Sequence, residues 1–392
     1  MSKTVLLLTT FLQLQVTYTF NSQSRLEFAW NFFNTITLFQ PYENLIVSPV
    51  SVQTCLAMTY MGAEGQTAAE MRQVLALEQF ARKEDVAYDF GEFIQANIKS
   101  AQSKLEMANR IYVDRRFHVL PGYNELISSY FQSTVASVDF SKNIQTAQDI
   151  NEWVKWQTHG KIQSLMQPTE LTSDTGIVLV NAIYFKAEWL YPFDTRYTIP
   201  RDFHLNSLVT KQVPMMYRTN MKVRYSEVLA LQLVAAEFLY KDTDLRMLIL
   251  MPNQLDGGVA ALEQTLSASV IQLVQQSLRE VQMDVVMPKF RIEFDLNLVE
   301  PLRVMGLSLL FYDAELPNMV TGATGPLYVS EVKHKAYISV DEKGSEASGF
   351  TYTQILEKSG RFFEPNLKVD RPFVFAILDD KAVYFIGHVL KL

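Results

Sequence analysis

The chain has 392 residues, 48% of them apolar, with 25 Phe and 18 Tyr; this excludes a disordered polymer and supports a large core. Its net charge of −7 lacks the basic face that broad nucleic-acid binding requires. Its single cysteine, Cys55, excludes an intramolecular disulfide, so the fold must rest on its core.

In chain order, "MSKTVLLLTTFLQLQVTYTFNSQS" opens with one Lys, an apolar run from Val5 to Val16 and a small polar stretch. We read residues 1–20 as a secretory signal peptide, against the alternative of first helical turns running on into "RLEFAWNFFNTI". Residues 21–392 then form a single domain. No other stretch has the ~18 consecutive apolar residues of a membrane span, and no N-x-S/T sequon occurs.

Helical periodicity predicts helices in "LEFAWNFFNTITLF", in "SVQTCLAMTYMG" with Ser48 capping and Pro49 in its first turn, and in "TAAEMRQVLAL". Cys55 falls within the second of these and reads as an inert buried thiol. Further helices are predicted in "EDVAYDFGEFIQANIKSA", "TAQDINEWVKWQTHGKI" and "VAALEQTLSASVIQLVQQSL". Strands are predicted in "EMANRIYVD", "GIVLVNAIYF", "LRMLILMP", "VQMDVVMPKF", "KAYISVD" and "AVYFIGHVL". Helices dominate the first half and strands the second. No βαβ alternation recurs, so the fold class is α+β.

No G-x-S-x-G elbow, phosphate loop, dinucleotide turn or H-E-x-x-H helix occurs. The five histidines, 118, 159, 204, 334 and 388, are scattered without metal-ligand spacing. No catalytic residue, metal or cofactor is indicated, and the chain does not read as an enzyme.

One segment is odd. "DEKGSEASGFTYTQILEKSGRFFEP", residues 341–365, separates two strand patterns by about two dozen residues and begins with small side chains. Its explanation comes with a set of ordered motifs. "NLIVSPVSVQTCLAMTYMGAEGQTAAEM", "INEWV" with "THGKI", "LVNAIYFKAEWLYPF", "VPMM", "MPKF", "VKHKAYISVDEKGSEAS" and "DRPFVFAI" resemble, in family order, the motifs of the serpins. The resemblance runs from about residue 25 to the C-terminus. It implies the serpin fold, about nine helices around three β-sheets, with residues 342–365 as an exposed reactive-centre loop.

The resemblance makes Glu342, Lys343, Gly344, Ser345, Glu346, Ala347, Ser348 and Gly349 the loop's hinge, which after cleavage enters the main sheet as a new strand. A central strand must place alternate side chains into a packed layer. Ser345, Ala347, Gly349 and Thr351 are small and share one face. Glu346, Ser348, Phe350 and Tyr352 share the other, expected to face solvent. Phe350 departs from the family's small-residue preference. The seventeenth residue from Glu342 is Lys358, so the resemblance places the reactive bond at Lys358–Ser359, with Arg361–Phe362 as the alternative. Glu357 before it narrows the choice of protease by charge.

The resemblance also implies conformational control by Ser48, Ser51, Asn181 and His334 where the sheet parts, and by Trp189, Lys289 and Glu342 where the loop enters. A Lys289–Glu342 salt bridge is expected there. Three departures stand out: His388 replaces the usual Arg or Lys after the late F-x-G, the chain ends "VLKL", and "AELPNMVTGATG" replaces an Asp-Leu-Ser-Gly pattern. The helix before "EMANRIYV" carries more acid than base, so glycosaminoglycan activation is not indicated, although Arg110, Arg115 and Arg116 lie nearby. The implied partner is a trypsin-like serine protease, bound covalently one to one by a secreted, extracellular monomer, with no nucleic acid or membrane partner. Two alternatives are kept. One is a non-inhibitory carrier or secreted structural or reproductive protein; the other is cytoplasmic inhibition if the leader is not cleaved.

Overall fold

Ser48 and Pro49 begin the helix on which the main sheet is laid. In the computed structural model, which describes residues 22–97, 105–322, 326–345 and 366–392, the helices are α1 (22–39), α2 (Pro49–Gly62), α3 (Gly65–Val74), α4 (Lys83–Asn97), α5 (Pro121–Phe131), α6 (Asn143–Gln157), α7 (Gly258–Glu263), α8 (Ala268–Ser277) and α9 (Val299–Met305). Every residue of α2 is buried, as a helix apolar on all sides requires. The Ser48 hydroxyl accepts from the Ser51 amide, and Pro49 occupies a first-turn position that needs no N–H donor.

The sheet on α2 contains β1 (Leu105–Asp114), β2 (Val135–Val138), β3 (Ile177–Phe185), β4 (Ala187–Glu188), β5 (Phe290–Asn297), β6 (Val329–Val340) and β7 (Gly344–Ser345). Its order is β2–β1–β3–β6–β7–β4, with β5 also pairing β6. The central pair, β3 and β6, is parallel and in contact from Val329 opposite Ile177 to Tyr337 opposite Tyr184. A nine-stranded sheet runs through Leu45–Val47, Val383–Val389, Phe373–Leu378, Arg246–Pro252, Leu233–Leu239, Thr210–Val228, Arg279–Pro288 and Leu367–Lys368, with Ile199–His204 on the long strand. A third sheet has two strands. This is the serpin fold, with three sheets and, among the described residues, nine helices.

The main core fills the space between α1, α2 and the inner faces of both large sheets; Phe28, Trp30, Phe32 and Phe33 are fully enclosed there. Each such side chain contributes roughly 2–3 kcal/mol of apolar burial. A second core lies on the opposite face of the main sheet. There α6 and the connection after it set Ile150, Val154, Ile162, Leu165 and Met166 against Val178, Val180 and Ala182 of β3.

Some elements differ from the pattern reading. The single helix expected over 259–278 is two, α7 and α8, because Ser267 caps α8 by accepting from the Val270 amide. The 19-residue strand Thr210–Val228 carries no clean period, and helix α5, which buries Tyr123, Ile127 and Phe131 at every fourth position, was not among the helices expected. Cys55 is buried, and burial raises its thiol to about 12, which leaves it protonated and inert.

Candidate functional site

The seam between β3 and β6 is closed in part by polar side chains. Asn181 on β3 and His334 on β6 are both fully buried and opposite one another. His334 donates from Nδ1 to Asn181 Oδ1 and accepts at Nε2 from the Ser48 amide at 3.2 Å. Ser51 Oγ donates to Asn109 Oδ1 at 3.2 Å, and Asn109 Nδ2 donates to the Ser51 carbonyl at 3.2 Å. Asn181 Nδ2 reaches both Ser51 Oγ, at 2.5 Å, and Asn109 Oδ1. Burial lowers the His334 imidazole to about 3, so the ring is neutral with its proton on Nδ1. One helix and three strands thus share one polar network, and strands in such a network separate only by exchanging partners. The sequence reading brought Ser48, Ser51, Asn181 and His334 together but missed Asn109. The signal was an Asn, next to Arg110, in the "MANRIYV" strand.

The upper end of the seam holds the start of the hinge. Lys289 Nζ lies 2.8 Å from Glu342 Oε2, and Thr198 Oγ1 donates to Glu342 Oε1 at 2.7 Å. Burial pushes the Glu342 carboxyl up, but the bonds from Lys289 and Thr198 outweigh it and hold the carboxyl below its ordinary value. The Trp189 amide donates to the Lys343 carbonyl at 2.8 Å, and its indole Nε1 donates to the Asp341 carbonyl at 2.9 Å. The Trp189 ring stacks on Tyr240 at 4.5 Å.

Beyond Lys343 the chain is already in the sheet. Gly344 pairs with Glu188, and Ser345 lies opposite both Val340 and Ala187. Ser345 is fully buried, and its hydroxyl is 2.6 Å from Tyr240 Oη. Only glycine fits at 344: an added Cβ would stand 2.0 Å from the Ala187 carbonyl oxygen and 2.7 Å from Glu188 Cα. Tyr240 and Thr198 were not singled out in the sequence, because each sits among residues of ordinary strand or turn composition.

The described chain resumes at Asn366, whose Oδ1 accepts from the Asp284 amide at 3.3 Å. Leu367 and Lys368 then run parallel to Val285 and Val286 in the other large sheet. Ser345 thus lies in one large sheet and Leu367 in the other. Glu346, Ala347, Ser348, Gly349, Lys358, Ser359, Arg361 and Phe362 lie between them, outside the described residues.

Elsewhere, the arginines that could have met an anion are engaged. Arg110 lies over the Trp153 ring at 5.2 Å, Arg115 pairs with Asp139 at 3.0 Å, and Arg116 pairs with Asp114 at 2.7 Å. His388 is buried between the Glu263 carboxylate and the Glu43 carbonyl. No group of three or more His, Cys, Asp or Glu able to hold a metal occurs among the described residues. No helix among them is long and apolar enough to cross a membrane.

Comparison with known proteins gives a consistent result. The family described as Serpin (serine protease inhibitor) matches residues 23–392. Serine protease inhibitor 42Dd of Drosophila melanogaster is 36% identical over 356 residues, covering 89% of this chain and 91% of that protein. A solved structure of cleaved Serpin 42Da superposes with a TM-score of 0.84 at 34% identity, covering 95% of this chain and 99% of that one. Human thyroxine-binding globulin superposes equally well, with a TM-score of 0.84 at 26% identity, covering 96% of this chain and 99% of that one.

Proposed function

The chain belongs to the serpin family, and from that premise we propose that it inhibits a trypsin-like serine protease as a suicide substrate. The observation that carries this reading is the seated hinge: Gly344 and Ser345 already occupy the gap between β6 and β4. Continued in the same antiparallel register, a strand following Ser345 would bring position 347 opposite Ile338 and Phe185, position 349 opposite Ala336 and Ile183, and position 351 opposite His334 and Asn181. The residues there are Ala347, Gly349 and Thr351. All are small, as an inward face against α2 requires, and the Thr351 hydroxyl would stand between His334 and Asn181 as their new polar partner. The offset of β6 from β7 and that of β4 from β7 agree with the offset of β3 from β6, so β3 and β6 part without slipping.

In this mechanism the protease serine attacks the Lys358 carbonyl and expels the Ser359 amine, leaving an ester between the protease and Lys358. A basic residue at that place suits a specificity pocket with a carboxylate at its base. The freed hinge then enters the seam. About 15 residues at ~3.3 Å each span roughly 50 Å, enough to carry the attached protease to the far end of the sheet and distort it before water cleaves the ester. The inhibitor is consumed, catalyses nothing, and acts as a secreted monomer after loss of residues 1–20.

The test is to mix the protein with trypsin at several molar ratios and run denaturing gels. The released peptide is weighed by mass spectrometry. A boiling-stable adduct with a peptide beginning at Ser359 supports the reading, and one beginning at Phe362 moves the bond to Arg361. Cleavage with no adduct overturns inhibition. A second reading, a non-inhibitory carrier, is favoured by Phe350 in the hinge, and the likeness to thyroxine-binding globulin keeps it in view.

A further inference from the structure

Ala108 and Tyr112 of β1 belong to the second core, under α6. Strand alternation puts Arg110 between them on the same outer face. Of the arginines in this strand and the turn after it, Arg115 pairs with Asp139 and Arg116 with Asp114. Arg110 pairs with no carboxylate among the described residues. It is engaged through its faces alone. The guanidinium carbon lies 5.2 Å from the centre of the Trp153 ring of α6 and 5.6 Å from that of the Tyr112 ring, and the two rings meet edge to face at 6.3 Å. Arg110 Nε is buried without a hydrogen-bond partner. Tyr112 is only 3% exposed, and its hydroxyl is buried and unpartnered as well. That hydroxyl is near enough for the Arg110 charge to act on it, but the geometry of a hydrogen bond between the two is not met. Burial pushes the hydroxyl up to about 12, so it keeps its proton at neutral pH.

We propose that Arg110 and Tyr112 form a binding site for a small oxyanion of the phosphate or sulfate kind, between the outer face of β1 and α6. A guanidinium only donates, and the phenol has a proton to give; the cluster is rich in donors and poor in acceptors. The acid whose charge reaches the Tyr112 hydroxyl is Asp149, one turn before Trp153 on α6. It is exposed, forms no ion pair with Arg110, and is held by Gln145 Nε2 at 2.8 Å. The two rings take water from the faces of the guanidinium and hold its plane, which leaves a pre-set fork of N–H donors at its edge. Such a fork meets two oxygens of one anion at once, and the Tyr112 hydroxyl supplies a further donor. Partial burial strengthens each of these bonds relative to water. The whole chain is acidic, with a net charge of −7, so its overall field does not gather anions and the attraction is local to Arg110. The site needs nothing from the loop or the hinge and stands apart from the inhibitory reading.

The test is to titrate the intact, uncut protein with inorganic phosphate by calorimetry, at constant ionic strength made up with sodium chloride. One saturable site, from which sulfate displaces phosphate, is the expected result. Arg110→Lys keeps the charge and loses the fork, and Tyr112→Phe deletes only the hydroxyl; each should weaken binding about tenfold, since hydrogen bonds to charged groups are the strong class. Arg115→Lys leaves the affinity unchanged, because that arginine already holds Asp139. Asp149→Asn binds phosphate more tightly, because a like charge is gone. The thermal midpoint of the parent rises with phosphate, as binding to the folded state requires, and rises less in Arg110→Lys. If Arg110→Lys does not fold, Tyr112→Phe decides alone. Absence of saturable binding overturns the site, and so does displacement of phosphate by chloride, which would mean general screening. Equal affinity in the parent, Arg110→Lys and Tyr112→Phe places the anion elsewhere and overturns it too. Each of these results leaves the trypsin adduct, and with it the inhibitory reading, untouched.

Discussion

Gly344→Ala is the smallest change that should unseat the hinge. A methyl group at 344 would stand 2.0 Å from the Ala187 carbonyl oxygen and 2.7 Å from Glu188 Cα. Both are backbone atoms of a strand that cannot turn aside as a side chain would. The chain must therefore leave the sheet, and the loss is bounded by what the seat contributes. That consists of the ladder contacts of Gly344 with Glu188 and of Ser345 with Val340 and Ala187, together with the Tyr240–Ser345 bond. At about 1 kcal/mol for each of these four contacts, the change destabilises the protein by about 4 kcal/mol. A chain of this length has an unfolding entropy near 0.8 kcal/mol/K, taken at about 2.1 cal/mol/K per residue, so the melting midpoint falls by roughly 5 °C. The same clash recurs in an inserted strand, so the variant should be cleaved by trypsin without forming an adduct. Scanning calorimetry and a denaturing gel read the two effects. An unchanged midpoint together with a normal adduct would refute the reasoning, since both rest on one contact.

Other changes probe the rest of the site. Burial keeps His334 neutral down to about pH 3, while in the unfolded chain it gains a proton near pH 6.5. Its contribution to stability is therefore complete above pH 6.5 and declines as pH falls from there toward 3, by up to about 1.4 kcal/mol per unit. His334→Gln should flatten denaturation midpoints between pH 6.5 and 4.5, and a slope equal to that of the parent would contradict the assignment. Asn109→Leu strips two bonds from Ser51 and one from Asn181 and should lower the unfolding free energy by about 2–4 kcal/mol; a loss under 1 kcal/mol in chemical denaturation would remove Asn109 from the network. Tyr240→Phe deletes only the hydroxyl facing Ser345 and should cost about 1 kcal/mol, with faster amide exchange at Gly344 and Ser345 as its readout. Lys358→Ala should abolish the trypsin adduct unless Arg361 is the attacked residue.

Much of this was legible because period and punctuation agree. The apolar run of α2 after Ser48–Pro49 could hardly be anything but a buried helix, and the β3 and β6 patterns lie in sheet that is covered on both sides. Of the small-residue run after Lys343, the described Gly344 and Ser345 lie in the main sheet. What escaped depends on distant partners. Helix α8 starts where it does because Ser267 caps it, a local signal lost inside a longer apolar period. The strand Thr210–Val228 alternates poorly because its neighbours change along its length: Ile199–His204 pairs with residues 210–215, Arg279–Pro288 with 215–225 and Leu233–Leu239 with 224–228. Asn109 and Tyr240 matter through residues 72 and 105 positions away, which no window on the sequence spans.

The central claim is that the main sheet accepts the loop as a new strand. The direct measurement is to cut the loop with a protease that is then removed, and to compare thermal unfolding of the cut and intact proteins. Insertion adds roughly ten newly paired residues to the middle of a sheet. At about 1 kcal/mol each, the midpoint of the cut protein should rise by about 10 °C or more. A midpoint that stays the same or falls after cutting would mean that the seam between β3 and β6 remains closed, and that the chain is not an inhibitor of the kind described.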